Sequence, residues 1–467
     1  MKVLVFIYFF GIFLISQNKC ARILCVFQMP AVSHQATFKP ISRTLSLRGH
    51  KVVAVTPHPI NDSNLTNLTE IDTSKETYEI IFRHGFEFFM SKEIYVSPIM
   101  FALGAKLKAP IVGVSSMGGW QGTHIAAGNP NPPALYSEMF LPYNGELTFY
   151  ERLKSTLYFI WSRLYVYWVA MPRCDKIAKQ YLGEDLPYLA DLERNVSAIF
   201  LNINPILYTP RPMVPTVIPM SFMHIQKPKP LPEDIREIIE TAKNGVIYFS
   251  LGSNVKSVNI PQRIRGLLME AFAELPYKVL WKFEKEELPG KPDNVVIRKW
   301  LPQQDILAHP NIKAFISQCG LQSTEEAIDR EMPMVGIPFI ADQEMNSVRL
   351  AKWGVLRHVD YLNTTKEELV RTIKDVAENP SYRSNMKNLR ALLQDEPMTS
   401  LDRVTWWAEY VIRHRGTRHL RSPTIDIEWH KYLLLDVFVV LIGVPALLLL
   451  LIFRFVFGKK SIKMKKE

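Results

Sequence analysis

The chain has 467 residues, of which 48% are hydrophobic and 22% are charged, and its formal net charge at pH 7 is +11. The hydrophobic share excludes a disordered chain, and the length fits two domains with appendages better than one small core. Five lysines lie in the last nine residues, and the remaining excess of positive charge has no aromatic-basic rhythm, so we expect no nucleic-acid partner. The scattered cysteines predict neither a disulfide framework nor a zinc site.

The N-terminal residues 1–20 are typical of a cleavable signal peptide, because an apolar run too short to span a bilayer follows Met1-Lys2 and then turns polar. Residues 21–55 predict a strand, a loop over 28–36, a helix over 38–48 closed by Gly49, and a second strand. This order is typical of a doubly wound sheet, whose ligands sit at the carboxyl ends of the strands. His34 lies in the predicted loop, where position alone favours a solvated surface histidine.

The middle of the chain predicts a helix over 101–107, a strand over 110–114 and a loop rich in Pro, Asn and Gly over 128–145. Residues 147–170 predict a long helix with many aromatic side chains. Packing on the core is the favoured interpretation, and an acceptor wall or a membrane-contacting surface is the alternative. Residues 205–232 hold eight prolines and predict an interdomain linker.

The second half opens with a strand that runs from Gly245 into a Gly-Ser turn at Ser253, followed by a helix over 267–275 and strands over 279–283 and 295–298. Within residues 300–346 we predict a strand over 313–317, a break, a helix over 323–330 capped by Ser323 or Thr324, and a strand over 334–338. A small-residue turn at a helix N-terminus is an anion site suited to phosphate, although an ordinary turn has the same pattern.

The C-terminal region predicts a transmembrane helix over 433–457, because only Asp436 and Arg454 interrupt its apolar run. The lysines of the basic tail at 458–467 place the tail in the cytoplasm, so the body is predicted to be lumenal in a type I topology. Lys463 and Lys465 resemble an endoplasmic-reticulum retrieval signal, or they only anchor the helix end. Five N-x-S/T triplets are candidate glycosylation sites, at Asn61, Asn64, Asn67, Asn195 and Asn363.

About a dozen positions in residues 300–346 match a known signature in register. They are Trp300-Leu-Pro-Gln303, Leu307, His309-Pro310, Phe315-Ile-Ser317, Gly320, Ser323, Glu326-Ala327, Pro333 and Asp342-Gln343. The run resembles the UDP-glycosyltransferase family of GT-B enzymes, and the similarity extends weakly over nearly the whole chain. The resemblance implies an α/β fold with two Rossmann-like domains facing across a cleft. Residues 21–230 would bind the acceptor and residues 231–430 the UDP-sugar.

The resemblance also implies roles for single residues. Trp300 and Gln303 would hold the uracil ring, and Glu326 would accept hydrogen bonds from the ribose hydroxyls. The diphosphate would lie on Ser253, Gln318, Gly320 and Ser323, and the donor sugar on Asp342 and Gln343. Many members carry a His where this chain has Gln318, which offers only a neutral N–H. No metal and no further cofactor is implied, since the helix dipole and N–H donors would neutralise UDP.

In the family, the His at the position of His34 is the general base for the acceptor hydroxyl, and an Asp orients it. Here the chain departs from the pattern, because several tens of residues after Met90 are missing relative to the family. Glu93 lies about where the Asp would fall, without the strand that should hold it. Whether the gap is natural or arises from splicing or a gene model is open.

These features predict an inverting transfer of glucose or glucuronate from a UDP-sugar to a hydroxyl of a small lipophilic acceptor. The alternative is a catalytically impaired form that binds UDP-sugar, or that pairs with full-length relatives as a homo- or hetero-dimer. The predicted location is the endoplasmic-reticulum membrane.

Overall fold

A computed structural model describes residues 20–27, 30–79, 98–138, 141, 143 and 145–463. Twelve strands in these ranges form three parallel sheets. The strands are β1 Arg22–Val26, β2 Lys51–Thr56, β3 Leu68–Asp72, β4 Val112–Ser115, β5 Ala198–Asn202, β6 Val217–Met220, β7 Val246–Ser250, β8 Lys278–Lys282, β9 Val295–Arg298, β10 Ile312–Ser317, β11 Met334–Gly336 and β12 Leu356–His358.

Helices connect and cover these strands. The α-helices are α1 Val32–Leu47, α2 Gln121–Ala127, α3 Phe149–Tyr165, α4 Met171–Leu182, α5 Leu189–Glu193, α6 Glu233–Glu240, α7 Gln262–Ala273, α8 Gln303–Leu307, α9 Leu321–Asp329, α10 Gln343–Lys352, α11 Lys366–Glu378, α12 Pro380–Gln394, α13 Ser400–His414, α14 Trp429–Tyr432, α15 Leu435–Phe438 and α16 Val444–Lys463. Residues 98–106 are also helical. A π-helical turn joins α3 to α4, and another joins α15 to α16.

The second half of the chain is built on one six-stranded sheet in the order β12-β11-β10-β7-β8-β9. Its strands are buried on both faces, as their near-continuous apolar sequences require in a parallel sheet covered by helices. The order reverses between β10 and β7, so the carboxyl ends of these two strands form the crevice where an open α/β sheet binds its ligand. Gly252 and Gln318 follow them there.

The first half holds two three-stranded sheets in the orders β1-β2-β3 and β4-β5-β6. Both sheets contribute to one core, which joins Val52 of β2 to Phe200 of β5. Within the described residues, β1 and β4 each pair on one side only, so no strand joins the two sheets. A doubly wound domain would need such a strand to make one continuous sheet.

Helix α13 packs back onto the first half, against α1, β5 and β6, although it follows the second sheet in sequence. The segment after it bonds to the same half. Thr417 donates to the carbonyl of Ser197, and the Thr424 hydroxyl donates to the carbonyl of Gly128 at 2.7 Å. The chain therefore crosses between the halves twice, once near residues 221–232 and once before α13.

Several predicted elements differ in the structure. The helix predicted from residue 38 begins at Val32, so His34 lies in its first turn and not in a loop. The polar residues around His34 suggested a loop, but they are buried and bond to strand ends. Gln35, for example, donates to the carbonyl of Phe27 and accepts from the hydroxyl of Thr56. The linker predicted over 205–232 contains β6, whose Pro219 lies in the strand.

The N-cap of α9 is Gly320, and the prediction of Ser323 or Thr324 was wrong. The chain already turns at Cys319, whose φ is 65°, so the helix begins directly after it. The prediction that the aromatic helix over 147–170 packs on the core was also wrong. Only Ser155 of α3 is buried, and Trp161 is 58% exposed, because apolar residues surround the helix and only one side can face the protein.

The C-terminal helical segment Leu435–Phe457 has a mean hydropathy of 2.9 and is exposed along its length. At 1.5 Å per residue it reaches about 35 Å, which is enough to cross a bilayer. By length and composition it is the candidate membrane span within the described residues, in agreement with the predicted range 433–457. The predicted signal peptide, apart from Cys20, and the end of the basic tail at residues 464–467 lie outside the described residues.

Candidate active site between the two halves

Three residues predicted to touch different parts of UDP form one hydrogen-bonded group at the start of α8 and α9. Gln303 donates through Nε2 to Glu326 Oε2 at 2.6 Å and to Ser323 Oγ at 3.0 Å. The hydroxyl of Tyr248 donates to Gln303 Oε1 at 3.1 Å, which fixes the orientation of the amide. Ser323 faces this group because α9 begins early enough to turn it toward α8.

Trp300 lies beside this group with 63% of its surface exposed. Its open face is suited to stacking on a planar base. The ammonium group of Lys282 lies 5.9 Å from the ring centroid and donates to the carbonyl of Gly252 at 2.8 Å. Lys282 thus connects the exposed indole to the turn after β7.

The turns after β7 and β10 meet at the N-terminus of α9. Gly252 has a φ of +72°, a backbone conformation that favours glycine, and it lies so close to the Gln318 amide that a Cβ there would displace this side chain. Gly320 caps α9 without a side-chain bond to the first turn, which leaves that turn's N–H groups directed at the crevice. Cys319 is buried, and burial raises the pKa of its thiol to about 12, which excludes a thiolate nucleophile.

The hydroxyl of Ser253 is buried without a hydrogen-bond partner in the described part of the protein. An unsatisfied buried hydroxyl costs about 1–3 kcal/mol, and a phosphate oxygen would remove that cost. We therefore expect Ser253→Ala to leave the melting temperature unchanged or higher while it weakens UDP binding about tenfold, as measured by calorimetry. Ser257→Ala provides the contrast in stability: its buried hydroxyl accepts from Trp281 Nε1 and donates to the carbonyl of Lys282, so its removal lowers the melting temperature. Equal UDP affinity of Ser253→Ala and the unmodified protein would contradict the prediction.

The two residues predicted to bind the donor sugar differ in their surroundings. Asp342 precedes α10 and accepts from the amide of Asn346 at 2.9 Å, and burial raises the pKa of its carboxyl group. Gln343 is buried, and its side-chain oxygen accepts from the backbone N–H groups of Phe339 and Ile340 at 2.9 and 3.0 Å. Only the amide nitrogen of Gln343 is therefore left to serve a sugar hydroxyl, whereas Asp342 can offer a carboxylate oxygen.

His34 lies at the other side of the crevice, in the first turn of α1, and is 9% exposed. Its Nδ1 forms a short contact with the hydroxyl of Ser116, which follows β4. In the described residues this hydroxyl occupies the position that a carboxylate takes in a base of the histidine-acid type. Burial lowers the pKa of His34 to about 4, so the imidazole is neutral at neutral pH and able to accept a proton.

Ser116 also connects His34 to helix α9 on the other side of the crevice. Its carbonyl accepts from Gln322 Nε2 of α9 at 3.0 Å, so His34 and the helix that begins at the predicted phosphate turn are two contacts apart. A cavity of about 160 Å³ opens beside this junction, lined by Met117 and Gly118 on the first half and by Asp342 on the second. Asp342, the predicted sugar residue, thus lines this cavity, whereas His34 does not line it and is connected to it through Ser116, the neighbour of Met117.

Sequence reasoning missed Ser116, Gln322 and Asn346. Ser116 comes two residues after the strand predicted over 110–114, and residues at the carboxyl ends of parallel strands meet at one edge of a sheet, so that position was available as a signal. No sequence signal was available for Gln322, because it contacts a residue 206 positions away. Glu93, the predicted partner of His34, lies outside the described residues.

Comparisons with known proteins agree with this architecture. Residues 73–467 match the family described as UDP-glucoronosyl and UDP-glucosyl transferase. A UDP-glucosyltransferase 2 of Dactylopius coccus is 33% identical over 468 residues, covering 91% of this chain and 90% of that protein. A UDP-glucuronosyltransferase 2B14 of Oryctolagus cuniculus is 30% identical, over 80% of this chain and 70% of that protein.

Among solved structures, the glycotransferase of kitacinnamycin superposes with a TM-score of 0.58 at 15% identity, covering 85% of this chain and 98% of that one. This likeness shows the fold, which is GT-B. The family match extends over most of the chain and includes the whole signature from Trp300 to Gln343. The chain therefore belongs to the UDP-glucuronosyl and UDP-glucosyl transferase family and is a glycosyltransferase that uses a UDP-sugar.

Proposed function

We propose that the chain transfers a glucosyl or glucuronosyl group to a hydroxyl of a small lipophilic acceptor, with inversion at the anomeric carbon. His34 Nε2 takes the proton of the acceptor hydroxyl while its oxygen forms a bond to the anomeric carbon. The bond from that carbon to the diphosphate oxygen breaks, and UDP leaves with its charge facing the N-terminus of α9 and the hydroxyl of Ser253.

The observation that carries this proposal is the junction at Ser116. One residue bonds to the imidazole through its hydroxyl and to α9 through its carbonyl, so the base and the donor helix share a rigid connection. If Nδ1 donates its proton to Ser116, the lone pair of the neutral imidazole lies on Nε2, the atom needed for proton abstraction. The buried, neutral state of His34 at pH 7 supports the same role.

A second candidate function follows from the same contact. A hydroxyl does not carry the charge that would stabilise the imidazolium as it forms, and a histidine base with a neutral partner loses orders of magnitude in rate. The chain would then bind UDP-sugar with little turnover, or act as the partner of a full-length relative.

The two candidates are distinguished by titration of the detergent-solubilised full chain with UDP, combined with an assay of sugar transfer from UDP-glucose and UDP-glucuronate. The transferase proposal predicts UDP binding and turnover with at least one donor. UDP binding without turnover would favour the binding form, and absence of UDP binding would reject both. The donor that gives turnover also decides between glucose and glucuronate.

The candidate membrane-spanning helix supports the proposal of a lipophilic acceptor. A helix long and apolar enough to span a bilayer would hold the crevice close to a lipid phase in which lipophilic acceptors concentrate. We propose an endoplasmic-reticulum location with the body in the lumen, on the basis of the lysines after the helix. All five predicted glycosylation asparagines are exposed, which a lumenal body would make usable.

A further inference from the structure

His224 is buried between the two halves, at the start of the segment that connects β6 to the second sheet. It is 4% exposed, and a carboxylate lies on each side of its ring. Nε2 is 3.3 Å from Glu326 Oε1, and Nδ1 is 3.4 Å from Glu325 Oε2. Both carboxylates come from α9, and one of them is the predicted ribose ligand. The imidazole thus touches the donor site from the first half's side.

The geometry of this contact determines the charge that the ring must carry. A neutral imidazole has one N–H and one lone pair, so one of its nitrogens would direct a lone pair at a carboxylate oxygen. Nε2 also lies 3.1 Å from the carbonyl of Gln322, a second acceptor. Nδ1 makes no hydrogen bond in the described residues, and neither does Glu325 Oε2, which lies 3.4 Å from it. With Nε2–H directed at the Gln322 carbonyl and Glu326, a second proton on Nδ1 places positive charge between the two carboxylates, so the doubly protonated ring fits these surroundings best.

We propose that His224 is a positioning residue for the donor site, whose imidazolium holds the Glu326 carboxylate in the orientation that accepts the ribose hydroxyls. This inference rests on the proposed role of Glu326. His224 does not reach the reacting atoms; it acts through Glu326.

The other contacts of Glu326 explain why this charge is needed. Gln303 donates to Oε2, and Gln304 donates to Oε1 at 3.1 Å. These are neutral amides, and they leave the negative charge of two adjacent buried carboxylates without a counter-charge. Like charges at this separation disfavour each other's ionisation, so without a cation one carboxylate would become protonated. An imidazolium between the two carboxylates removes this repulsion and holds Glu326 Oε1 in place.

Glu325 is held on the side away from the donor site. In the amide orientation that satisfies both partners, Asn202 of β5 donates to Glu325 Oε1 at 2.9 Å and to the carbonyl of Met220 at 2.8 Å. Glu325 therefore belongs to the first half's strand ends, and Glu326 to the donor site. His224 lies between them, and it couples the position of the first half to the geometry of the ribose ligand.

The pKa values are consistent with this arrangement. Burial lowers the pKa of His224, but the hydrogen bond and charge of Glu326 and the charge of Glu325 outweigh it, and the net shift is upward. Burial raises the pKa of Glu325 to about 7 against the lowering effect of His224. Glu325 and Glu326 are the ionisable groups that face the ring. The phenols of Tyr208 and Tyr248 interact with these carboxylates, and burial raises their pKa values far above neutrality.

The test compares the affinities of UDP and 2′-deoxy-UDP by calorimetry, and its readout is the ratio of the two dissociation constants. We expect the unmodified full chain to favour UDP about tenfold, as the loss of one charge-assisted hydrogen bond requires. His224→Gln reduces this ratio to near one, because glutamine cannot donate to both carboxylates. His414→Gln, which changes an exposed histidine of α13, leaves the ratio unchanged.

His224→Gln also leaves Glu325 buried without its counter-charge, so the single variant could fail to fold. The double variant His224→Gln/Glu325→Gln removes that charge, and its ratio is also expected to be near one. A ratio that stays near ten in either folded variant overturns the inference and leaves the role of Glu326 intact. A ratio near one in the unmodified chain overturns both, and no UDP binding at all overturns the proposed function itself.

A purely structural role for His224 would lower stability without changing the ratio. The pH dependence of the ratio also distinguishes a positioning role of His224 from a purely structural one. A histidine with a raised pKa is protonated below that pKa, so the ratio of the unmodified chain is highest at low pH and falls as pH rises through the pKa of His224. Glu325→Gln keeps the imidazole and retains this pH dependence, whereas the double variant lacks both groups and its ratio stays flat over the same range.

Discussion

Replacing His34 by alanine lowers kcat for sugar transfer by about 10²–10⁴-fold, the usual contribution of a general base. The affinity for UDP stays within about twofold of the unmodified chain, because His34 lies across the crevice from the group formed by Gln303, Ser323 and Glu326. The measurement combines initial rates at saturating donor with calorimetric titration of UDP on the same preparation. Loss of rate with intact donor binding is the expected result.

His50→Ala is an informative control, because His50 is a buried histidine of the first half that does not line the cavity. Its Nδ1 accepts from the backbone N–H of Ala21 at 3.2 Å, and its Nε2 lies 3.5 Å from Glu409 Oε1. Its replacement should lower stability but reduce kcat far less. Equal turnover of His34→Ala and the unmodified chain would reject His34 as the base.

Ser116→Asp raises kcat about tenfold or more, because it places a carboxylate against Nδ1 of His34. A carboxylate stabilises the imidazolium that forms as the proton is taken, which a hydroxyl does only weakly. The serine side chain is buried, so the introduced charge is tolerated only through its pairing with the imidazole. The measurement is the rate of transfer at pH 7 with saturating donor.

The pH dependence gives a second readout for the same substitution. His34 has a pKa of about 4, so the rate of the unmodified chain stays constant as pH falls from 7 and declines only near pH 4. The carboxylate introduced by Ser116→Asp favours the charged imidazole and shifts this decline to higher pH. Ser116→Asn is similar in size and neutral, and should change neither the rate nor the profile in this way. An identical profile for both variants would argue against the pairing.

Five of the six strands of the second half were predictable, because each is a short apolar run bounded by turn residues; β12, with the sequence Leu-Arg-His, was not predicted. The strands predicted over 295–298 and 313–317 needed no tertiary information, and the signature of residues 300–346 identified the family. The prediction at α1 failed for a physical reason. Ser33, His34 and Gln35 form the first turn of a helix whose polar side chains bond to strand ends, and a polar tripeptide after a strand has the same composition as a loop.

The side of the site that holds His34 was less predictable from the sequence. The contact between His34 and Ser116 joins residues that are 82 positions apart in sequence. His34 follows a strand of one sheet and Ser116 a strand of another, and these two sheets are not joined within the described residues. The role of His224 depends on the same long-range packing, since its carboxylate neighbours lie about a hundred positions away in sequence. Local sequence patterns predict strands and turns, but they do not predict which turns lie in contact in the folded chain.

The return of the chain to the first half after α13 has a consequence for how substrates arrive. The stretch from Thr417 to Thr424 is bonded to Ser197 and Gly128 of the first half, and only a short segment separates it from the apolar helix that starts at Leu435. A bilayer crossed by that helix would be tethered to the half that holds His34. Lipid-dissolved molecules would then reach the crevice from the side of His34, while water-soluble UDP-sugar would enter from the opposite, aqueous side.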